Sequence, residues 1–443
     1  MRILPPLAAL LLLATNLPAQ PKQTREQKVL EDRKKVEADG FWIYNDLQKG
    51  FAEAKKTGKP MIVIFRCIPC VECVKLDDDL VNQDQRVRPL LEKFVCVRVV
   101  STNGLDLSLF QYDYDQSFAT FFLNADGTIY GRYGTRSHRT SWADDVSIDG
   151  LAQALQGALD LHAKYPQNKD ALAAKRGPAP EVPSPEQFPA LKGKYGATIT
   201  YEANVVQSCI HCHQVGEAQK SFYRAKKEAI PENLLFPFPH PKNLGLILDP
   251  KQKATVLRVE KGTAADVAGF QTGDQLLTLQ DQPLLSLADV QWVLHHAPSG
   301  ANSLKAGVLR DKKPIDVTMK LPDGWRKGED ISWRTSTWSL RRMSTGGMVI
   351  DPATADERSK AGAPADGAAL RVRFVGQFGP HATAKQAGFL AGDVITAYDG
   401  KTDIKHETDL LSYAVTQKKV GDKVAIDFYR NGKKMTLSIP MQE

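Results

Sequence analysis

The 443-residue sequence lacks the features of several large functional classes. Beyond its N-terminus no stretch approaches 18 continuous apolar residues, the length that a membrane-spanning helix needs. No run of five or six basic residues with interleaved aromatics occurs, and the formal charge of +7 is modest for this length, which argues against nucleic-acid binding. The sequence also has no Gly-x-Ser-x-Gly stretch, so this common setting of a serine nucleophile is absent.

Cysteine is scarce and unevenly placed, because five of the six cysteines lie in two short clusters. The first cluster is a double C-x-x-C formed by Cys67, Cys70 and Cys73. The second is a C-x-x-C-H that begins at Cys209. The first spacing suits thiol–disulfide exchange, and the second suits covalent attachment of a c-type haem. The chemistry of the protein therefore depends on how these two clusters are interpreted.

The N-terminus has the layout of a secretory signal peptide. Met1-Arg2 is followed by an apolar stretch over 3–14, which is too short to span a bilayer well, and then by Leu17-Pro18-Ala19. We therefore expect residues 1–19 to be removed and the mature chain, without a transmembrane segment, to be periplasmic or secreted. Such compartments permit disulfides, and export also brings a protein to the place where haem c is attached.

The composition changes several times along the rest of the chain. These changes predict a multidomain protein with a domain boundary at each change. Helical and strand patterns alternate in the N-terminal half, six prolines punctuate a linker, and turn-rich strand patterns fill the C-terminal half. The predicted parts are a charged spacer at 20–38, an α/β domain at 39–165, a Pro-rich linker at 166–190, a small, mainly helical or irregular C-x-x-C-H segment at 191–242, β-rich domains at 243–322 and 344–443, and a Trp/Arg-rich connector at 323–343.

The two β-rich domains are internal repeats. The stretch Ala268-Gly269-Phe270-Gln271-Thr272-Gly273-Asp274 recurs as Ala387-Gly388-Phe389-Leu390-Ala391-Gly392-Asp393. Each copy follows a β-rich stretch and precedes a strand and then a helix. Matching flanks at a fixed spacing indicate duplication.

The α/β domain resembles a thioredoxin-like domain over about residues 40–165. The resemblance rests on a helix, Gly58-Lys59-Pro60, an apolar strand at 61–65 and the cysteines that follow. In this family the first active cysteine lies five residues beyond the last aromatic of the strand, here Phe65. The resemblance therefore implies Cys70 as the nucleophile and Cys73 as the resolving thiol, with Cys67 as an auxiliary thiol.

A cysteine at a helix N-terminus has a stabilised thiolate, because the positive end of the helix dipole lies beside it. The sequence departs from the family at one position that bears on catalytic turnover. The family places a cis-proline just before the strand that contains Thr120, and this sequence has Ala119 there. A cis bond before alanine is costly, so an inactive thioredoxin scaffold stays open as an alternative.

The C-x-x-C-H leaves three interpretations open. In the haem interpretation Cys209 and Cys212 form the thioethers and His213 ligates the iron. His240 is then the candidate sixth ligand, since no Met occurs between Met61 and Met319. In the zinc interpretation the two thiols, His211 or His213, and His240 form a tetrahedral site. In the third, the two cysteines form a simple disulfide or remain thiols.

Both repeats resemble PDZ domains of the kind found in HtrA-type proteases. The likeness rests on Asn243-Leu244-Gly245-Leu246, its counterpart Gly346-Gly347-Met348-Val349, and the Ala-Gly-Phe…Gly-Asp stretches. A PDZ domain binds a peptide as an added strand, and loop amides hold the peptide's carboxylate. The resemblance implies peptide-binding residues at Leu244, Gly245, Leu246, Gly347, Met348 and Val349. It implies helix walls at Val290, Val293 and Leu294 in the first repeat and at Leu410, Leu411 and Val415 in the second; the alternative is that these residues are ordinary core.

Taken together, these features predict a redox protein of the cell envelope, a possible thiol–disulfide oxidoreductase. Its expected partners are a redox protein and a protein or peptide held by the PDZ domains, with no nucleic acid. The alternative is a non-catalytic PDZ scaffold with an inactive thioredoxin-like domain and a structural metal or disulfide at the C-x-x-C-H. The PDZ resemblance does not imply a protease, because the sequence has no Gly-x-Ser-x-Gly stretch and its N-terminal half resembles a thioredoxin-like domain instead.

Overall fold

The computed structural model describes residues 23–66, 68, 84–116, 118–136, 145–202 and 204–443. The signal-peptide prediction and the three thiols Cys67, Cys70 and Cys73 lie outside the described residues. Within the described residues, no helix is both long enough and apolar enough to span a bilayer.

The N-terminal half forms one five-stranded sheet with helices on both faces. Its strands lie in the order β1-β3-β2-β4-β5, with β1, β3 and β2 parallel and β4 and β5 antiparallel. The central strand β2 is buried along its whole length, as its continuous apolar run predicts. The elements are α1 (Arg25–Asp39), β1 (Ile43–Tyr44), α2 (Leu47–Thr57), β2 (Met61–Arg66), α3 (Arg88–Leu91), β3 (Val95–Val99), β4 (Phe118–Leu123), β5 (Ile129–Tyr133) and α4 (Ile148–His162).

The charged residues before this domain form a helix, α1, rather than a spacer. Thr24 and Gln27 form a capping box that starts the helix, and Val29 and Val36 are buried. Asp32 lies 2.9 Å from the Arg98 guanidinium at the sheet. The charge pattern of the sequence does not reveal that α1 packs on the domain, because only two apolar residues of this helix are buried.

The Pro-rich linker and the C-x-x-C-H segment pack onto the same domain. Phe188, Leu191, Ile210 and Val215 belong to the apolar core that also contains Phe65 of β2. The linker therefore adds to the core instead of separating two modules. The helices here are α5 (Lys169–Leu172), α6 (Val205–Ser208), α7 (Cys212–Ala225) and α8 (Glu232–Leu235), with short 3-10 turns at Ala173–Lys175, Pro185–Gln187 and Pro241–Leu244.

The first repeat forms a small β-rich domain with its own core. Its strands make one sheet in the order β11-β10-β8-β9 and a two-stranded pair, β6-β7. The elements are β6 (Leu246–Leu248), β7 (Val256–Val259), α9 (Ala264–Val267), β8 (Gln275–Leu279), β9 (Gln282–Pro283), α10 (Leu287–His296), β10 (Asn302–Arg310) and β11 (Lys313–Leu321).

The second repeat and the helix before it complete the chain. Its five strands form one antiparallel sheet in the order β12-β13-β14-β15-β16, so β12 is an edge strand. The elements are α11 (Thr337–Thr345), β12 (Met348–Pro352), α12 (Ala355–Ala361), β13 (Leu370–Val375), α13 (Thr383–Ala387), β14 (Val394–Tyr398), α14 (Glu407–Gln417), β15 (Lys423–Arg430) and β16 (Lys433–Pro440), with 3-10 turns at Trp325–Gly328 and Gly379–Ala382.

The two repeats share an ion pair at equivalent positions. The aspartate that ends each repeated stretch accepts two hydrogen bonds from an arginine at the end of the following long strand. Arg310 pairs with Asp274 at 2.7 Å, and Arg430 pairs with Asp393 at 2.6 Å. The side chains therefore repeat the duplication that the sequence shows.

Buried charges join the domains to one another. In the connector, Arg334 lies 2.6 Å from Asp113 of the N-terminal domain and 3.1 Å from Glu329. Lys175 of the linker lies 2.8 Å from Asp289 on α10, and both side chains are about 1% exposed. Removing one partner from such a buried pair leaves an uncompensated charge, so these contacts hold the domains in one arrangement.

Candidate functional site

The C-x-x-C-H segment lies at the carboxyl ends of the parallel strands of the sheet. Thr102, three residues beyond β3, donates to the carbonyl of Ile210 through its N–H at 3.0 Å and through its hydroxyl at 2.8 Å. Asn103 accepts the Ile210 N–H at 2.7 Å and donates to the carbonyls of Ser208 and Gly196. Active sites of α/β sheets gather at this edge, and here the fold brings the second cysteine cluster to it.

Cys209 is buried in a small apolar cluster at this edge. Its Sγ lies 3.7 Å from the Val100 carbonyl, and the cluster also contains Ile68 and Val205. Ile68 stands between the cysteines of the first cluster in the sequence, and it is buried here. The structure therefore places a residue of the first cysteine cluster and Cys209 in one apolar environment. Burial raises the pKa of the Cys209 thiol.

Cys212 is the first residue of α7 and contacts the core of the N-terminal domain. The Tyr112 hydroxyl donates a hydrogen bond to its Sγ at 3.1 Å. Burial raises the pKa of Cys212 to about 11, although the hydrogen bond from Tyr112 opposes that increase. The described cysteines Cys96, Cys209 and Cys212 are all free thiols. Cys96 is buried in β3, and its thiol donates to the Leu91 carbonyl.

His213 lies on the outer side of the same helix. Its Nδ1 is 3.3 Å from the Glu217 carboxylate, and 37% of its side chain is exposed. Its ring is parallel to that of His211, with 5.9 Å between the ring centroids. Burial together with this neighbouring ring lowers the pKa of His211 to about 4, so that imidazole is neutral at physiological pH.

His240 is buried at a different junction. Its Nδ1 accepts the Lys242 N–H, and its Nε2 lies 3.3 Å from the Asp145 carboxylate. The backbone N–H of His240 donates to the Glu329 carboxylate. Burial lowers the pKa of His240 despite the nearby Asp145.

These positions do not fit a covalently bound haem. A haem needs both thiols and the ligating histidine to face one opening, whereas Cys209 and Cys212 point into packed interior and His213 faces outward to Glu217. A cavity of about 340 Å³ beside α7 is lined by Tyr112, among others, and by neither thiol. Haem at these residues therefore stays a prediction from the sequence alone.

The zinc interpretation has the same difficulty. Among the described residues, no group of three or more His, Cys, Asp or Glu side chains is placed to hold a metal ion. The contacts of His240 are to Asp145 and Lys242, and those of Cys212 are to Tyr112.

Ala119 lies inside strand β4 rather than in a loop before it. Its backbone is paired with Phe65 of β2, and Phe118 is paired with Arg66. The ladder thus extends over the position at which the thioredoxin-like family has a cis-proline.

The predicted loop of the first repeat is built from buried residues. Leu244 and Leu246 belong to the core of the repeat. Gly245 has a φ of +80°, and a Cβ there would lie 1.9 Å from the Thr263 hydroxyl, so only glycine fits. The loop has the backbone that the sequence predicts, but its apolar side chains face the core.

The helix wall of the first repeat, α10, packs against the N-terminal domain. Asp289 accepts the Arg132 N–H at 3.2 Å, and the Ser286 hydroxyl donates to the Arg132 carbonyl at 2.6 Å. Gln291 donates to the Phe238 carbonyl at 2.8 Å. This side of the first repeat is therefore an interdomain contact.

The loop of the second repeat follows helix α11 directly. Gly347 has a φ of +90°, and its N–H donates to the Arg341 carbonyl at 3.0 Å, which closes the C-terminus of α11. Met348 is in the core of the repeat, and Val349 is buried. The amide expected to hold a peptide carboxylate thus has a partner within the chain.

Several residues of the site carry no local signal in the sequence. Tyr112, Thr102 and Asn103 contact the second cysteine cluster from about 100 positions away in the chain. Arg334 and Asp113, which form a buried ion pair, are 221 positions apart. Spacing and periodicity describe one element at a time, so contacts of this kind leave no pattern to find.

Family comparisons match three parts of the chain. Residues 42–125 match a model described as thioredoxin-like. Residues 239–321 and 363–441 each match a PDZ domain model. Among curated proteins, no sequence matches this chain.

Similar solved structures include the HtrA-type protease AlgW with decapeptide, at 15% identity, a TM-score of 0.21, and coverage of 32% of this chain and 49% of that chain. A variant of AlgW, also with decapeptide, has 18% identity, a TM-score of 0.21, and coverage of 32% and 40%. An aminopeptidase N family protein from Idiomarina loihiensis has 22% identity, a TM-score of 0.15, and coverage of 24% and 19%.

The chain spans less than half the length of these structures. The family matches confirm the predicted domain types: this chain carries one thioredoxin-like domain and two PDZ domains.

Proposed function

We propose that this chain is a thiol–disulfide oxidoreductase of the cell envelope whose PDZ domains bind the protein that it acts on. The main support is that the C-x-x-C-H segment docks at the edge of the thioredoxin-like sheet where strand β2 ends, one residue before Cys67 in the sequence. Ile68, which follows Cys67 in the sequence, and Cys209 are buried in one apolar cluster.

The proposed chemistry is a two-electron exchange. The Cys70 thiolate attacks a disulfide sulfur of the partner, forming a mixed disulfide and releasing one partner thiolate. The Cys73 thiolate then attacks the Cys70 sulfur, releases the second partner thiolate and leaves a Cys70–Cys73 disulfide. The partner disulfide is reduced and the enzyme pair is oxidised, and the reverse sequence oxidises a partner dithiol.

The PDZ domains supply the binding function of the proposal. PDZ domains recognise protein segments by adding them to a strand edge, and two parts of this chain match the PDZ model. Binding a target beside the thiols raises its effective concentration at the thioredoxin-like site. This effect allows a modest affinity to support exchange with one chosen partner.

Export is part of the proposal and rests on the N-terminal sequence. Residues 1–19 have the layout of a signal peptide, and the disulfides of a partner protein persist in oxidising compartments. A fusion of the full chain to a reporter that is active in the periplasm tests this predicted export. Fusion protein found only in the cytoplasm would contradict it.

Thiol trapping tests the catalytic assignment. In the full-length chain, Cys73→Ser should accumulate a mixed disulfide with a reducible substrate such as insulin, and Cys70→Ser should form none. Cys96→Ala is the matched control, because Cys96 is a buried core thiol. Activity that survives Cys70→Ser would overturn the assignment.

A binding scaffold without redox turnover is the second candidate. The observation that favours it is the continuous ladder through Ala119, which replaces the family's cis-proline position. In this case Cys70→Ser and wild type should bind a target protein equally and neither should reduce insulin. Insulin reduction by wild type above the rate of Cys70→Ser would exclude the scaffold.

A further inference from the structure

The groove of the second PDZ domain is already filled by a helix of the same chain. A PDZ groove lies between an edge strand and a helix, here β12 and α14. Helix α11 packs against both, because its Leu340 and Met343 share one buried cluster with Leu411 and Val415 of α14. All four side chains are at most 1% exposed, so the apolar wall of the groove is covered.

A buried ion pair anchors this helix in the groove. The Arg341 guanidinium donates two hydrogen bonds to Glu407, the first residue of α14, at 2.9 and 2.5 Å. The same carboxylate accepts the N–H of Ile350, on edge strand β12, at 3.0 Å. A strand-edge N–H that an added peptide would use is therefore bonded to a side chain instead.

The loop end of the groove is closed as well. The Gly347 N–H donates to the Arg341 carbonyl, and the Tyr398 hydroxyl donates to the Ser344 carbonyl at 2.6 Å. Helix carbonyls thus take the place of a peptide carboxylate. The groove selects a helix end rather than a free C-terminus.

The other end of α11 is attached to the thioredoxin-like domain. Ser336, just before the helix, donates to Asp115 through its N–H and through its hydroxyl, both at 2.7 Å. Lys220 on α7, the helix that begins at Cys212, donates to the same hydroxyl at 2.5 Å. Release of α11 from the groove would therefore disturb contacts made by α7.

We propose that the second PDZ groove is a receptor for a short amphipathic helix with an arginine between two apolar residues, and that helix α11 of this chain is its resident internal ligand. The proposal rests on the binding role proposed above for the PDZ domains and is independent of the thiol chemistry. An outside partner is a helical segment of the same chemistry that competes with α11.

A peptide that carries the helix sequence tests the proposal in the full-length chain. The probe is an amidated, fluorescent peptide of residues 331–345. Arg341→Ala weakens the internal helix while Glu407 remains to pair with the arginine of the peptide. We expect Arg341→Ala to bind the peptide at least about tenfold more tightly than wild type does.

The control is Arg371→Ala, which removes the pair with Glu357 at 3.0 Å in the same domain but away from the groove. It should bind the peptide no better than wild type. Adding Glu407→Gln to Arg341→Ala should abolish the gain. Equal peptide binding by Arg341→Ala, Arg371→Ala and wild type would overturn the proposal.

Leu340→Ala supplies a second, milder variant if Arg341→Ala does not fold. Hydrogen exchange of residues 337–345 should be faster in Leu340→Ala than in wild type, with peptide binding raised in parallel. Unchanged exchange and binding would count against the proposal. A failed thiol-trapping assay leaves these outcomes unaffected, so the two proposals fail separately.

Discussion

The Tyr112 hydroxyl donates a hydrogen bond to the Sγ of Cys212 at 3.1 Å, and this contact joins the thioredoxin-like domain to the C-x-x-C-H segment. The two residues are 100 positions apart in the sequence. The contact shows that the second cysteine cluster packs against the core of the thioredoxin-like domain. The hydrogen bond also affects the reactivity of the Cys212 thiol directly, because it stabilises the thiolate.

Tyr112→Phe should reduce the reactivity of Cys212. Without the hydroxyl donor the thiolate loses a stabilising hydrogen bond, so the pKa of Cys212 should rise further above about 11. Alkylation of Cys212, followed by peptide mass mapping, should be slower in the variant. Tyr114→Phe is the matched control, because the Tyr114 hydroxyl donates to the Phe110 carbonyl. Equal alkylation rates in all three proteins would contradict the prediction.

Asn103→Ala should loosen the C-x-x-C-H segment. The Asn103 amide accepts the Ile210 N–H and donates to two backbone carbonyls, so its loss leaves these three backbone groups without their partners. We expect a loss of about 2–4 kcal/mol in the free energy of unfolding and faster alkylation of Cys209. Denaturant titration and thiol labelling measure these two effects.

Asn302→Ala provides the comparison for this variant. Asn302 also donates to two backbone carbonyls, but in a turn of the first PDZ domain. It should leave Cys209 labelling unchanged. Similar labelling of Cys209 in the two variants would show that Asn103 does not hold the segment.

A buried charge cluster should make stability depend on pH. The carboxylates Asp113, Asp115 and Glu329 are buried together with the cations Arg334 and Lys220. Burial raises the pKa of Glu329 to about 7, although Arg334 opposes that rise. The cluster is therefore stabilised by uptake of one proton.

The direction of the effect follows from linkage. The folded state binds this proton more tightly than the unfolded state, so the stabilisation is complete below about pH 4.5 and is lost as pH rises through about 7. The free energy of unfolding should fall by about 1–3 kcal/mol between about pH 5 and pH 8. Glu329→Gln should remove most of that fall, whereas the exposed Glu357→Gln should keep it.

The full-length chain should carry no covalent haem. Cys209 and Cys212 face packed interior, so attachment would require both of their environments to open. Intact mass measurement of the full-length protein, exported from a host that matures c-type cytochromes, should show the polypeptide mass with both cysteines still available to alkylation. A haem mass increment with a haem absorption band would contradict this.

Local patterns predicted the domain types well. The apolar run at 61–66, the repeated Ala-Gly-Phe…Gly-Asp stretches and the turn glycines Gly245 and Gly347 each reflect local constraints, namely a strand buried on both faces and backbone with positive φ. The family comparisons bear out the thioredoxin-like and PDZ assignments that these patterns support.

The same patterns did not predict how the segments that connect the domains would pack. Charge and proline content indicated a spacer at 20–38 and a linker at 166–190, yet both pack onto the thioredoxin-like domain. Their docking depends on a few residues each, such as Val29 and Phe188, which are too sparse to form a periodic signal. The connector at 323–343 likewise supplies Arg334 to a buried network with Asp113.

The sequence by itself determined that this chain is a thioredoxin-like domain joined to two PDZ repeats and that it carries two cysteine clusters, because residue type and spacing encode these features locally. Only the tertiary structure decided that Cys212 meets Tyr112, that His240 lies with Asp145, and that helix α11 fills the second groove. These relationships join residues that are remote in the chain. They arise from the burial of apolar surface and the pairing of buried charges, which no local pattern records.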